Sequence, residues 1–199
     1  MDYAQRRKEQ SLKTETAILN AALALMRESG FETVTVRDIC KSAGITTGAF
    51  YHHFQSKEEL FDKGFAPLDQ FVESALEQEP SEDPAQRLKT VLRSYALFME
   101  DCGELAARYY QRRLANSEME SMDATRNILC VMVDCFEQAK EMGIEVLRDD
   151  PKWTAEFCYR HFRGIVIDWL LCRRSYSLLD KMMDEFALFE LALKGETRM

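Results

Sequence analysis

Tyr51-His52-His53 places two of the chain's three histidines side by side. Imidazoles ligate metals and shuttle protons, and beside hydroxyls and cations they hydrogen-bond phosphate oxygens. The first chemistry needs further ligands in the same turn. Neighbouring residues on a helix diverge by about 100°, and no cysteine or carboxylate lies between Thr47 and Lys57 to complete a site. The six cysteines show no two-residue spacing of the kind that grips zinc from one turn. Cys158 and His161 share a helix face but lack a third and a fourth partner. A di-iron carboxylate enzyme requires Glu-x-x-His pairs, and the chain contains none. The residues therefore predict no metal site, no cofactor and no catalytic group, which leaves anion binding as the chemistry for this stretch.

The surrounding elements must aim these groups. Thr14 to Ser29 sets Ala17, Ile18, Ala21, Ala22, Leu25 and Met26 on one stripe, and Gly30 stops the helix. Thr35 to Asp38 reads as a helix cap with an acid at its third position, opening a helix of two turns that Gly44 closes. Ile45 separates that glycine from Thr46 and Thr47, either of which can cap a third short helix. Phe50 and Phe54, four apart, share its inner face. Thr47, Gly48, Tyr51 and His52 are left outward. Ser56 to Glu59 repeats the capping pattern and predicts the start of a fourth helix. Two short helices joined by a tight glycine turn, the second exposing polar and aromatic groups, are the helix-turn-helix that reads DNA. Tyr51, His52 and, as one option, His53 then meet phosphates beside the major groove, while Gly48 admits close backbone approach.

Gly and Pro are scarce, 8 and 4 in 199 residues, and long stretches carry apolar residues at helical spacing, so the fold class is all-α. The opening MDYAQRRKEQSLK has no apolar stretch behind its basic residues, and runs such as Gly164 to Ile167 are too short to span a bilayer. A cytoplasmic protein with no membrane partner is expected, its cysteines reduced. Residues 1–63 balance 9 basic against 9 acidic groups, so the whole net charge of −8 lies in the remainder. A polyanion would be met by the N-terminal end. The same charge also serves solubility alone.

In order along the chain, Thr14, Ile18, Ala21-Ala22, Leu25, Gly30-Phe31, Thr33 to Val36, Ile39-Cys40, Ala43 to Thr46, Gly48, Phe50-Tyr51, His53-Phe54, Ser56 to Glu58 and Leu60 resemble the TetR/AcrR family of bacterial transcriptional repressors, over about residues 10 to 62. The resemblance implies a DNA-binding domain over 1–62 and a helical ligand-binding and dimerisation domain over 63–199. It puts Arg37 within reach of a base, Thr47, Gly48 and Ala49 at the base-facing start of the recognition helix, and Thr35, Thr46, Tyr51, His52, His53 and Lys57 at phosphate-holding positions. His53 either contacts phosphate or braces the helix packing. Arg6, Arg7 and Lys8 form either a basic arm or a solvated tail. Cys40 departs from the small alanine common in the family, and Pro67 falls inside the expected long fourth helix, predicting a kink.

Residues 77 to 84 are polar, hold two prolines and read as a linker, with Asp83-Pro84 capping a helix to about Asp101. Further helical patterns cover about 103–116, 119–142, 151–174 and 178–194. The last is apolar on more than one face and must be covered twice. With 151–174 it looks like the family's contribution to a dimeric four-helix bundle, which implies a palindromic operator on double-stranded DNA. A small-molecule effector pocket is expected, with Phe98, Met99, Tyr109, Tyr110, Met132, Phe136, Phe162 and Trp169 as lining or core. Asp168 has no basic residue three or four positions away. It pairs with something distant, faces the dimer seam or meets a cationic ligand. The leading expectation is a homodimeric repressor released by its effector. The alternative is a TetR-like adaptor that no longer reads an operator, against which Arg37, Tyr51 and Lys57 argue.

Overall fold

In the computed structural model, which describes residues 3–61, 66–115, 127–144 and 149–193, all regular structure among the described residues is helical. The helices are α1 (Tyr3–Ser29), α2 (Val36–Ala43), α3 (Thr47–His53), a 3₁₀ turn (Glu58–Phe61), α4 (Ala66–Gln78), α5 (Pro84–Cys102), α6 (Glu104–Ala115), α7 (Asn127–Glu141), α8 (Pro151–Leu171) and α9 (Leu178–Leu193). Packing separates them into two units. One holds α1, α2, α3, the 3₁₀ turn and α6, and the other holds α4, α5, α7, α8 and α9. A division at 62/63 follows chain order alone; α6 goes with the N-terminal helices.

In the first unit Ile18, Leu19, Ala22 and Met26 of α1 are buried with Phe31, Val34, Ile39, Phe50 and Phe54. Ala17, counted in the sequence stripe, is exposed, and Leu19 takes a place in the core instead. Gly30 ends α1 at φ 82°, and its N–H donates to the Met26 carbonyl at 2.9 Å. Sequence expectations for this stretch need correction. α1 begins at Tyr3, so Arg6, Arg7 and Lys8 lie on a helix rather than on an irregular arm or tail. Residues 5–13 are exposed, and an apolar stripe could not mark them. The Ser56 cap does form, accepting from the Glu59 N–H at 3.3 Å, and among the described residues the element it opens is the 3₁₀ turn. Pro67 is the second residue of α4. At that position its missing N–H breaks no hydrogen bond of α4; the expectation of a kink involves residues 62–65, which lie outside the described residues.

In the second unit α5 is the central helix, burying Leu88, Val91, Leu92, Tyr95, Phe98 and Met99 and packing against α7, α8 and α9. Asp83 caps α5 by accepting from the Ala85 N–H at 3.0 Å, and Asp150 caps α8 by accepting from Trp153 at 3.0 Å; a proline follows each. The Glu100 carboxylate receives the N–H groups of Leu178 and Leu179 at 2.6 and 3.2 Å, fastening the start of α9 to α5. α9 buries Leu178, Met182 and Phe186 and leaves Leu188 66% exposed. α8 leaves Phe157 and Leu171 exposed, so both of the last two helices carry apolar surface outside their own unit's core.

Candidate nucleic-acid interface

The α2–α3 turn is built as its residue types require. Gly44 sits at φ 67°, where a side chain is disfavoured. Its N–H and that of Ile45 return to the carbonyls of Lys41 and Cys40 at 3.4 and 3.0 Å, closing the end of α2. Phe50 and Phe54, 0% and 1% exposed with ring centroids 5.6 Å apart, fix α3 onto the core. Thr47, Gly48, Tyr51 and His52 consequently face outward and are exposed. Ala49 is half-buried beside them. A β-carbon at Gly48 would meet only Thr46 Oγ1, at 3.8 Å, so the backbone there is open to approach.

The two capping threonines differ in what they leave available. Thr46 Oγ1 accepts from the Ala49 N–H at 3.1 Å, which leaves its hydroxyl proton for another acceptor. Thr35 accepts from Asp38 N–H at 3.2 Å and also donates its hydroxyl to Asp38 Oδ2 at 2.5 Å, while its N–H donates to the same oxygen at 3.0 Å. Both of its donors are engaged. The Thr35 hydroxyl and then its N–H hold the Asp38 carboxyl below the usual carboxylate range against an opposing desolvation, with Lys41 and Arg37 adding lesser contributions. Thr35 is thus a cap for α2, and its expected phosphate contact lacks a proton to donate. Arg37, one residue into α2, is exposed.

On α3, Tyr51 is 57% exposed with its ring edge against Phe50 at 5.4 Å. The His52 and His53 rings meet edge to face at 5.3 Å. His52 is exposed, but the His53 side chain is only 10% exposed and its Nδ1 lies 4.0 Å from Glu15 Oε2 on α1. Of the two roles open to His53, this geometry fits the brace. Lys57 also turns inward. Its ammonium donates to the carbonyls of Phe31 and Val34 at 2.5 and 2.9 Å and stands 4.1 Å from the centre of the Phe31 ring. Sequence reasoning missed Arg108, which from α6 pairs with Glu32 at 2.9 Å and Glu104 at 3.5 Å and lies 4.8 Å from the same ring. The Glu104–Arg108 spacing is readable on one helix; the reach to Glu32, 76 residues away, is not.

The effector candidates divide. Phe98, Met99, Met132, Phe136, Phe162 and Trp169 are buried in the second unit, where the Trp169 indole donates to the Tyr176 carbonyl at 3.0 Å. Tyr109 and Tyr110 lie on α6 in the first unit, their rings edge to face at 5.2 Å. Asp168 is exposed and accepts from the Tyr176 hydroxyl at 2.8 Å. Burial, reinforced by that carboxylate, raises the Tyr176 hydroxyl well above its ordinary pKa. Among the three options for Asp168, a distant partner is the one observed, and the residue does not belong with the buried set.

Burial also raises the thiols of Cys40, Cys135 and Cys158, the last two to about 11 and about 12. Cys130 and Cys172 are exposed. His161 contacts Glu185 at 2.7 Å, and among the described residues no cluster of three or more His, Cys, Asp or Glu could hold a metal. No described helix is long and apolar enough to cross a membrane.

Residues 18–63 match the sequence model of the bacterial regulatory proteins of the tetR family. The chain is 24% identical over 186 residues to the probable acrEF/envCD operon repressor of Escherichia coli (strain K12), covering 88% of this chain and 84% of that one. It is 29% identical over 157 residues to the HTH-type transcriptional repressor KstR2 of Mycobacterium tuberculosis (strain ATCC 25618 / H37Rv), covering 73% and 74%. The solved structure of Thermus thermophilus FadR, a TetR-family transcriptional repressor in complex with lauroyl-CoA, shares the fold with a TM-score of 0.65 at 17% identity, covering 93% of this chain and 96% of that chain.

Proposed function

Because this chain belongs to the TetR family of bacterial regulatory proteins, we propose that it is a cytoplasmic, homodimeric repressor that binds a palindromic operator and is released by a small-molecule effector. The observation that carries this reading is the asymmetry of α3. Its aromatic face is locked into the core while Thr47, Gly48, Tyr51 and His52 stand exposed above a sealed glycine turn. Thr47, Gly48 and Ala49 face the base edges, Gly48 by admitting close backbone approach, and Arg37 reads a base as a guanidinium fork on guanine. Thr46, Tyr51 and His52 donate to flanking phosphates. His53 and Lys57 hold the unit in shape, and Thr35 caps α2.

The exposed apolar residues of α8 and α9 support self-association through 151–174 and 178–194. Twofold symmetry then sets two α3 helices about 34 Å apart on one face of the duplex. The buried Phe and Met residues of the second unit suit a mainly apolar effector, as does the acyl-CoA carried by the FadR relative. The effector shifts the population toward dimers whose recognition helices no longer match that spacing. Selection of bound sequences from a random DNA pool at moderate salt tests the reading. Enrichment of one palindrome is expected, and failure of any sequence to enrich would overturn operator reading in favour of an adaptor.

A further inference from the structure

We infer that the first turns of α1 and the end of α3 form a second binding site for the DNA backbone, a cleft that takes a phosphodiester lying outside the bases read by α3. The inference rests on the DNA-binding reading above and assigns to α1 a role in it. The cleft is shallow and largely open to solvent, spans about 550 Å³, and is lined by Arg7, Lys8, Gln10, Ser11 and Thr14 of α1 and by His52 and His53 of α3. Thr14 already gives its hydroxyl proton to the Gln10 carbonyl at 3.0 Å, but every other lining side chain carries a hydrogen-bond donor, two are permanent cations, and no carboxylate is among them. Glu15 approaches His53 Nδ1 at 4.0 Å but does not line the cleft.

Two features of the fold point to a polyanion as the occupant. First, α1 runs far past what packing needs. Its buried residues begin at Ile18, and residues 5–13 are all exposed. At 1.5 Å per residue, Arg7 stands about 16 Å beyond Ile18 along the axis. Those turns bury nothing in the core, yet they keep Arg7, Gln10, Ser11 and Thr14 at three-and-four spacing on one face, directed at the end of α3. Second, His52 belongs both to the exposed face of α3 and to the cleft. A backbone phosphate that reaches His52 while α3 lies in the groove is therefore already at the cleft mouth, next to Arg7 and Lys8. In a chain with a net charge of −8, a recess at this end with two permanent cations and no carboxylate in its lining is the feature that a polyanion meets favourably.

The test compares wild type with Arg7→Gln/Lys8→Gln and with Lys13→Gln, a control on the same helix outside the cleft. Gln keeps helix propensity close to that of Lys and Arg, and circular dichroism verifies the fold. Affinity for the selected operator is measured from about 50 to 200 mM salt. Each phosphate contact contributes about 0.9 to the slope of log K against log salt. One cleft phosphate per protomer therefore predicts a slope shallower by about 1.8 for the double variant dimer, with operator and random DNA weakened by the same factor. Lys13→Gln leaves the slope in place. Neutral methylphosphonates placed singly along the operator identify one flanking phosphate per half-site to which wild type is sensitive and the double variant is not.

An unchanged slope in the double variant, or an equal loss in Lys13→Gln, overturns the cleft while leaving operator reading intact. So does a slope that stays unchanged while millimolar inorganic phosphate, at fixed ionic strength, moves the His52 and His53 resonances of the DNA-free protein, since that marks a small-anion site. Failure of wild type to bind any DNA overturns both readings.

Discussion

Lys57, which the family resemblance places at a phosphate-holding position, turns its ammonium into its own unit. Its ammonium has three protons, and two are given to the carbonyls of Phe31 and Val34 at 2.5 and 2.9 Å, in the loop between α1 and α2. Lys57→Met keeps most of the aliphatic stem and removes the charge. Two hydrogen bonds from a charged donor, taken at about 1.5 kcal/mol each, and about 0.5 kcal/mol for the ring contact at 4.1 Å are offset by about 1 kcal/mol of recovered rotamer freedom. The net loss is about 2.5 kcal/mol, a fall in melting temperature of about 5–10 °C for a chain of this size. Urea unfolding followed by circular dichroism should show a lower midpoint with an unchanged m-value. The salt slope of operator binding, measured where the variant is fully folded, should match wild type. A stability change below about 0.5 kcal/mol together with a slope shallower by about 1.8 would refute the brace and make Lys57 a phosphate ligand.

Arg37→Ala should lower discrimination at one base pair per half-site by about 1–3 kcal/mol, read by repeating the sequence selection; an unchanged logo rejects Arg37 as a base reader. Glu100→Ala leaves the first two N–H groups of α9 without their carboxylate and should cost about 2 kcal/mol, with Glu100→Gln near half of that in the same urea titration. Gly103 has φ 52° and ψ −112°, and a β-carbon there would stand 2.8 Å from Arg174 Nη1. Gly103→Ala should destabilise by about 1–3 kcal/mol through backbone strain, and adding Arg174→Ala should not restore the loss; full rescue would place the cost in the side-chain clash. Asp38 has a lowered pKa in the fold, so its contribution is complete above the unfolded carboxylate value of about 3.9 and disappears as pH falls through the lower folded value. Asp38→Asn should flatten the acid side of the stability curve below about pH 4, and parallel curves for variant and wild type would show the cap to be without effect.

Elements with a local cause were legible in the sequence, and those with a distant cause were not. The caps at Thr35, Thr46 and Asp83, the turn at Gly44 and the inward pair Phe50–Phe54 each depend on residues within four positions, and each stands where its pattern placed it. Lys57 answers to carbonyls 26 and 23 residues away. Asp168 answers to Tyr176 across the α8–α9 connection, where Arg173 and Arg174 adopt φ 54° and 59°. A search three or four positions either side could reach neither partner. The start of α1 was lost for a different reason. An apolar stripe marks only the helical residues that a core covers, and residues 5–13 have none. Their run of Arg, Lys, Glu and Gln has high intrinsic helix propensity, the one signal that would have extended the helix.

The α2–α3 unit shows why residue type alone does not make an interface residue. Thr35 and Thr46 occupy the same capping position on consecutive helices, and both accept from the N–H three residues on. What separates them is the side chain at that third position. Asp38 offers a carboxylate that captures the Thr35 hydroxyl proton and its N–H, whereas Ala49 offers nothing and leaves the Thr46 proton to a partner outside the chain. Arg37 and Lys57 divide in the same way. Arg37 stands on the exposed face of an eight-residue helix, while Lys57 enters a loop whose carbonyls no helix satisfies. A donor can serve DNA only when the fold has not already taken its proton, so counting protons after the caps and loops are satisfied separates the readers from the braces, a distinction that motif matching does not draw.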